Sequence, residues 1–242
     1  MNNYKLTIQY DGTNYSGWQI QDNAVTVQQK ITDAVKVIIK ENINLVGSGR
    51  TDSGVHALGQ IANFQTKSEI DIFRFKHSLN SILPADISVL NMSKVSENFH
   101  SRFDAIKRSY LYFLSLNKSP FYNNYSWHYH DGINIAEINN LSQVLIGEHD
   151  YTSFSKKNTE FENKNCIIYS AHWKKSGELV IFLIEANRYL HGMVRTIVGT
   201  LLKLIKEPKS EISLLEILNL KNREAARESA PAKGLFLYKV KY

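Results

Sequence analysis

The order in which strand patterns and helix patterns follow one another constrains the fold of this chain more than any other sequence feature. Apolar and polar residues alternate in residues 5–10, and apolar runs flank a polar loop within residues 43–66, as expected for half-buried strands. Residues 26–40 and 71–82 instead carry apolar side chains at the three- and four-residue spacing of a helix face. Another strand pattern begins at Ile87, so the predicted order is β-α-β-β-α-β.

That order is typical of the ferredoxin-like fold, in which helices cover one face of an antiparallel sheet and leave the other face free to meet a partner. The second half repeats the order of elements without a convincing repeat of sequence. Its predicted strands are 107–116, 166–174, 178–186 and 235–241, and its predicted helices are 135–146, 190–206 and 213–219. We therefore expect an α+β protein with two ferredoxin-like halves, residues 1–104 and 105–242, joined into one extended antiparallel sheet with helices on one face. A central catalytic cleft is expected between the halves.

The predicted helices begin at short polar side chains that can accept hydrogen bonds from the first backbone N–H groups. Capping boxes are predicted at Thr26 with Gln29, Asn134 with Glu137 and Ser213 with Glu216, and Asp71 is predicted to cap the helix that Pro84 ends. Within that helix, Phe75, Leu79 and Ile82 are predicted to face the core. The polar, aromatic loops at 117–133 and 150–165 are expected to be the most mobile regions.

Composition narrows the classes of function that remain. The net charge of +6 and the isoelectric point of about 9.2 favour a polyanionic partner, most simply a nucleic acid. The single cysteine, Cys166, excludes a disulfide within the chain and a cysteine-based zinc site, and its strand position predicts a small buried residue. The eight histidines are scattered, so we expect no metal, and neither a phosphate-binding loop motif nor a His-Glu-x-x-His motif is present. With no run of 18 apolar residues and no signal-peptide pattern at the start, a soluble cytoplasmic protein without membrane association is expected.

The polar loop within residues 43–66 is the first candidate site. Arg50 and Asp52 lie two residues apart among several glycines, and glycine allows sharp turns or close approach of a ligand to the backbone. A carboxylate beside a guanidinium on such a loop is typical of a site built around one specific carboxylate. The alternative is a decorated connection between strands in which Asp52 caps a turn.

Two further candidates lie in the second half. Tyr110 alternates with apolar residues along a predicted strand, so it is either a core residue or a stacking platform for an unstacked base. Arg195 lies in an otherwise apolar helix, and a buried arginine there would need a carboxylate partner, for which Asp52 is a candidate. The alternative for Arg195 is a solvated helix end.

Eight motifs, in order over nearly the whole chain, resemble those of the tRNA pseudouridine synthase A family. They are Tyr10-Asp-Gly-Thr-Asn-Tyr-Ser-Gly-Trp-Gln19, Gly49-Arg-Thr-Asp-Ser-Gly-Val-His-Ala57, Asn80-Ser-Ile-Leu-Pro84, Phe99-His-Ser-Arg-Phe-Asp-Ala105, Lys107-Arg-Ser-Tyr-Leu-Tyr112, Gly147-Glu-His-Asp-Tyr-Thr-Ser-Phe154, Tyr189-Leu-His-Gly-Met-Val-Arg195 and Ala230-Pro-Ala-Lys-Gly-Leu235. The chain departs from the family at Arg227, where glycine is common, and at Tyr189, where phenylalanine is usual. Both departures concern substrate fit more than reaction type.

The resemblance implies an isomerase that converts uridine to pseudouridine in the anticodon stem-loop of tRNA, at tRNA positions 38, 39 and 40. By the same resemblance Asp52 is the essential aspartate, Arg195 pairs with it, and Tyr110 stacks on the target base. No cofactor and no metal is expected, and the expected assembly is a homodimer. The residues themselves add Arg50 as a contact to the RNA backbone or to a flipped nucleotide.

The chemistry of this isomerisation agrees with a single carboxylate. The N1–C1′ bond breaks, the base turns, and C5 joins C1′, with no need for a redox partner. A carboxylate can attack the sugar or the base, or remove a sugar proton.

Two other classes of protein stay open. One is a non-catalytic RNA-binding protein of the same fold, and the other is a glycosidic-bond hydrolase, although hydrolases usually need two carboxylates. Candidate RNA contacts include Lys107, Arg102 and the loop with Tyr15 and Trp18, two residues that could equally be loop-packing side chains.

Overall fold

A computed structural model describes residues 1–156, 163–207, 212–226 and 228–242. Its strands are β1 (Asn2–Tyr10), β2 (Val46–Gly47), β3 (His56–Thr66), β4 (Ile87–Val95), β5 (Lys107–Ser115), β6 (Trp127–His128), β7 (Gly147–Asp150), β8 (Asn165–Ser176), β9 (Leu179–Ala186) and β10 (Leu235–Lys241). Its α-helices are α1 (Val27–Ile39), α2 (Ile72–Ile82), α3 (Ile135–Ser142), α4 (Met193–Lys206) and α5 (Leu214–Asn219). The chain divides into two compact units, Met1–Ile106 with Phe236–Tyr242, and Lys107–Leu235.

The first unit has the strand order of the ferredoxin-like fold. β1 lies between β4 and β3 and pairs antiparallel with both, and the short β2 pairs antiparallel with β3. β10 pairs parallel with the start of β3, where Phe236 lies opposite His56. α1 and α2 supply the buried residues that pack on the sheet, and Phe64 of β3 contacts Phe75 of α2 with 6.2 Å between ring centroids.

The second unit contains the antiparallel order β5-β9-β8-β7, with β6 parallel to β5. Trp173 of β8 stacks on Phe182 of β9 at 4.4 Å, and both rings are fully buried in the core of this unit. The predicted α+β class is confirmed, and the cleft between the halves stays a prediction. No helix in the described ranges has the length and apolarity needed to cross a membrane.

Several local predictions are confirmed and several are wrong. Thr26, Asp71, Asn134 and Ser213 each cap a helix, and the Ser213–Glu216 capping box is complete. The amide of Gln29 instead donates to Asp33, one turn further along α1, so the box predicted at Thr26 is wrong. Ile82 is 44% exposed rather than inward, because α2 ends there.

Two regions expected to be mobile contain ordered elements. β6 lies within residues 117–133, and a 3₁₀ turn at Thr152–Phe154 lies within residues 150–165. Residues 157–162 of that second loop and the family departure at Arg227 lie outside the described residues.

Candidate active site

Asp52 is part of a tight turn that ends just before β3. The turn is closed by a hydrogen bond from Val55 N–H to the Asp52 carbonyl at 3.1 Å, and Gly54 at its third position has φ +74°. A positive φ at this position is typical of a type II turn and favours glycine. Asp52 is half-buried, between the buried Thr51 and the exposed surface, whereas Arg50 is exposed. The turn therefore holds the carboxylate where it is both desolvated in part and accessible to a substrate.

Gln60, a fully buried polar residue of β3, fixes the chain ahead of this turn. Its amide oxygen accepts a hydrogen bond from Ser48 Oγ at 2.7 Å, and its amide nitrogen donates to the carbonyl of Gly49 at 2.8 Å. Because buried amides are stable only when such bonds are made, Gln60 and residues 48–49 hold one another in place. The sequence analysis missed Gln60, although a glutamine within an apolar strand run is the signal that could have found it.

The loop at residues 11–18 fixes the turn from the other side. Trp18 N–H donates to the Thr51 carbonyl at 3.1 Å, and Ser53 Oγ donates to the Tyr15 carbonyl at 3.2 Å. Gly17 has φ +90°, and a Cβ there would lie 2.5 Å from the Thr51 oxygen, so no other residue fits without displacing the turn. These contacts were not predicted from the sequence.

Tyr15 and Trp18 are both buried, which supports the loop-packing alternative for these two residues. Tyr15 donates its hydroxyl hydrogen to Asp86 at 2.6 Å. Burial, and then this hydrogen bond, raises the pKa of Tyr15 well above its ordinary value. Trp18 contacts the Tyr10 ring at 6.0 Å, and the Tyr10 hydroxyl is 2.8 Å from Thr51 Oγ1, so the aromatic residues support the turn from within.

His56, within the motif Gly49–Ala57, is the first residue of β3 and is buried. Its ring stacks on Phe236 with 4.5 Å between centroids. Nδ1 accepts the Gly12 N–H at 3.1 Å and lies 3.1 Å from an Asp11 carboxylate oxygen. His56 thus links three segments of the first unit and is not exposed on the loop.

Tyr110 lies on β5 and is 7% exposed. Its ring meets the Tyr189 ring edge-on, at 5.0 Å and an angle of 86°. Burial, followed by the proximity of Tyr110, raises the pKa of Tyr189 well above its ordinary value, and the Tyr189 hydroxyl donates to the Arg108 carbonyl at 3.3 Å. The extra hydroxyl at position 189 is therefore accommodated by a backbone partner. Tyr112, on the same strand, is fully buried and donates to the Pro231 carbonyl at 2.8 Å.

Arg195 is the third residue of α4, and the chain near Ala230 holds it in place. Its Nε donates to the Ala230 carbonyl at 2.7 Å, and the Ala230 N–H donates back to the Arg195 carbonyl at 3.0 Å. One turn further, a Cβ on Gly199 would lie 2.0 Å from the Glu228 carbonyl, so glycine lets residues 228–230 lie against the helix. Arg195 is half-buried, which argues against the solvated helix end.

The structure brings Arg50 and Asp52 together on one loop of the first unit, and it assigns Tyr110 and Arg195 to the second unit. The pairing of Asp52 with Arg195 stays a prediction.

The described residues contain no group of three or more histidine, cysteine, aspartate or glutamate side chains that could hold a metal ion. Cys166 is buried, and burial raises the pKa of its thiol to about 11, although Arg188 opposes the shift. The prediction of a buried cysteine is confirmed.

A family model described as tRNA pseudouridine synthase matches residues 6–104 and 141–242, which is most of the chain. The chain belongs to the tRNA pseudouridine synthase family. The resemblance drawn from the eight motifs is therefore confirmed.

Curated members of the family are similar along their whole length. "tRNA pseudouridine synthase A 1" of Protochlamydia amoebophila is 43% identical over 248 aligned residues, which cover 100% of this chain and 97% of that protein. "tRNA pseudouridine synthase A" of Thermoanaerobacter sp. is 40% identical with 100% of both chains covered. The protein of the same name from Brachyspira hyodysenteriae is 43% identical, with 98% of this chain and 96% of that protein covered.

Proposed function

We propose that this protein isomerises uridine to pseudouridine in tRNA, and that Asp52 is the carboxylate that reacts. The observation that carries the proposal is the construction around Asp52. The half-buried Asp52 lies on a glycine-containing turn whose backbone is held on one side through residues 48–49, which Gln60 bonds, and on the other by the loop with Gly17. A reacting group held this way loses little entropy when substrate binds, which is what positioning contributes to catalysis. Family membership and the names of the relatives support the reaction type.

The reaction balances without a cofactor. The N1–C1′ bond breaks, the detached uracil turns within the site, a C5–C1′ bond forms, the hydrogen at C5 leaves as a proton, and N1 takes up a proton. Asp52 can take part as a nucleophile towards the sugar or the base, or as the base that removes a sugar proton. Any of these roles requires one ionised carboxylate in contact with the target nucleotide.

The other candidate residues receive roles that suit their surroundings. A uridine within a paired stem must leave the stack before it can react, and this costs a few kcal/mol. We assign Tyr110 to stacking on the flipped base, because stacking on an aromatic ring recovers part of that cost. Arg195, oriented by its bond to Ala230, is assigned to pair with Asp52. The exposed Arg50 is assigned to the RNA backbone or the flipped nucleotide.

The finer features of the proposal concern substrate and assembly. We infer that the target uridines are at tRNA positions 38, 39 and 40 in the anticodon stem-loop, and that the enzyme acts as a cytoplasmic homodimer. The division into halves 1–104 and 105–242 belongs to the same proposal. The net charge of +6 supports binding through phosphates and RNA shape rather than base sequence.

The experiment is tritium release from tRNA transcripts that contain 5-tritiated uridine, because forming the C5–C1′ bond expels the hydrogen at C5. Wild type, Asp52→Asn and a control, Asp22→Asn, which removes an exposed carboxylate of the first unit, are compared without added metal or nucleotide. We expect release by wild type and the control, none by Asp52→Asn, and tRNA binding within about two-fold for all three. Release by Asp52→Asn would refute the role of Asp52. Bound tRNA without release by wild type would favour the non-catalytic RNA-binding protein, and free uracil would favour the hydrolase.

A further inference from the structure

An exposed aromatic ring beside a guanidinium and an imidazole lies in the first unit, at the Phe103 patch, which we define as His100, Arg102 and Phe103. Phe103 is 75% exposed. The guanidinium carbon of Arg102 is 5.6 Å from the centroid of the Phe103 ring, and the His100 ring is 4.3 Å from it. An accessible ring beside a guanidinium is the arrangement that lets a protein stack on a base and contact the adjacent phosphate.

The backbone that presents this patch is held rigidly. The amide of Asn3 donates to three carbonyls of the segment at residues 96–99, the shortest bond being 2.9 Å, to Phe99. Ser101 is fully buried, its N–H donates to Asn63 at 2.9 Å, and its hydroxyl donates to the Val46 carbonyl at 2.6 Å. Because the segment is already ordered, binding through it costs little further conformational entropy.

The next turn of the segment is fixed as well. His100 Nδ1 accepts the N–H groups of Arg102 and Phe103 at 3.1 and 3.3 Å, and the His100 N–H donates to Asp104 at 2.9 Å. These bonds set the backbone directions of Arg102 and Phe103 within the patch. The Phe103 ring is thus held at the surface on a hydrogen-bonded backbone.

The patch lies beside the chain that leads to Asp52. The bond from Ser101 joins the segment to Val46, the first residue of β2, and the residues after β2 continue directly to Arg50 and Asp52. Both features belong to the first unit and are connected through Val46.

We propose that the Phe103 patch is a second RNA contact of this protein, in which the Phe103 ring stacks on an unpaired base of the tRNA and Arg102 contacts the adjoining phosphate. The inference rests on the proposed function, because the tRNA is the ligand. Charge favours RNA over a protein partner as the occupant: the patch contains a guanidinium, the chain carries a net charge of +6, and Lys5 lies over the rings of Phe99 and Tyr242 nearby.

The test compares Phe103→Ala with a matched control, Phe73→Ala, which removes a phenylalanine that is 78% exposed on α2 of the same unit. Filter binding of a tRNA transcript measures Kd, and tritium release measures KM. We expect Phe103→Ala to raise Kd and KM about five-fold or more, as expected for loss of one stacked base. Phe103→Trp should restore affinity, Phe103→Leu should not, and Phe73→Ala should stay within two-fold of wild type.

Arg102→Gln tests the phosphate contact separately. It should weaken binding and reduce the slope of log Kd against log salt by about one, because one fewer counterion is released. Equal Kd values for Phe103→Ala and Phe73→Ala, or full affinity for Phe103→Leu, would overturn the proposal. Unchanged tRNA affinity with a loss of oligomer in sedimentation would instead identify the patch as a protein interface. If wild type binds and converts tRNA in any of these cases, only this inference fails and the proposed function stands.

Discussion

Replacing Gly17 with alanine should disturb the Asp52 turn directly, because Gly17 satisfies two conditions that alanine cannot. Its φ is +90°, and a Cβ would lie 2.5 Å from the Thr51 carbonyl oxygen and 3.2 Å from the carbonyl carbon of Asp52. The left-handed backbone costs an L-residue about 1–2 kcal/mol. The close contact adds about 1–3 kcal/mol, as overpacking typically does. The free energy of unfolding should therefore fall by about 2–5 kcal/mol for Gly17→Ala.

Gly177→Ala provides the matched control. Gly177 also has a positive φ, +58°, but a Cβ there would have no atom within 4 Å. For Gly177→Ala, only the cost of the left-handed backbone, about 1–2 kcal/mol, should lower the free energy of unfolding. The difference between the two variants measures the contact with the turn.

The assay combines chemical denaturation with tritium release at a temperature where both variants are folded. Gly177→Ala should keep wild-type turnover. Gly17→Ala should lose at least ten-fold in kcat, because moving a reacting group by about 1 Å can cost 100-fold. Equal destabilisation of the two variants, together with wild-type turnover for Gly17→Ala, would refute the conclusion that the loop at residues 11–18 positions Asp52.

Three other changes test separate parts of the structure. Gln60→Leu should lower the free energy of unfolding by about 2–4 kcal/mol, because both hydrogen bonds of a buried amide are lost. Thermal unfolding should record this loss of stability, and tritium release should record a parallel loss of kcat. Gly199→Ala should lower the free energy of unfolding by about 1–3 kcal/mol and reduce turnover, since its Cβ would lie 2.0 Å from the carbonyl oxygen of Glu228 in the segment packed on α4. Unchanged turnover would contradict the role of that segment. Hydrogen bonds from Ser68, and then from Thr66, lower the pKa of Glu41, so its contribution to stability is present above the ordinary value of 4.5 and is lost as the pH falls. Glu41→Gln should therefore lower Tm at pH 7 and differ less from wild type at pH 3, and a gap that widens on acidification would contradict this sign.

Elements with strong local signals could be predicted from the sequence. α1 and α2 begin at the residues after Thr26 and Asp71, because an oxygen on the capping side chain accepts a local N–H bond and the apolar spacing that follows fits a helix face. Boundaries set by distant contacts were predicted less well. The start of β3 at His56 was not predicted within residues 43–66, because β10 pairs with its first residues and β10 is far away in sequence.

The amino-acid sequence by itself determined the α+β class, the order of the longer helices and strands, and the family, since these depend on local periodicity and on contiguous motifs that include Arg50 and Asp52. The short strands β6 and β7 were not predicted. Only the tertiary structure decided what surrounds those residues. Gln60 and Gly17 fix the Asp52 turn through hydrogen bonds and close contacts between segments far apart in sequence, and no local pattern encodes such contacts. The same reason applies to Tyr15, Trp18 and Phe103: burial depends on which segments pack over a side chain, so the first two are buried and the third is exposed.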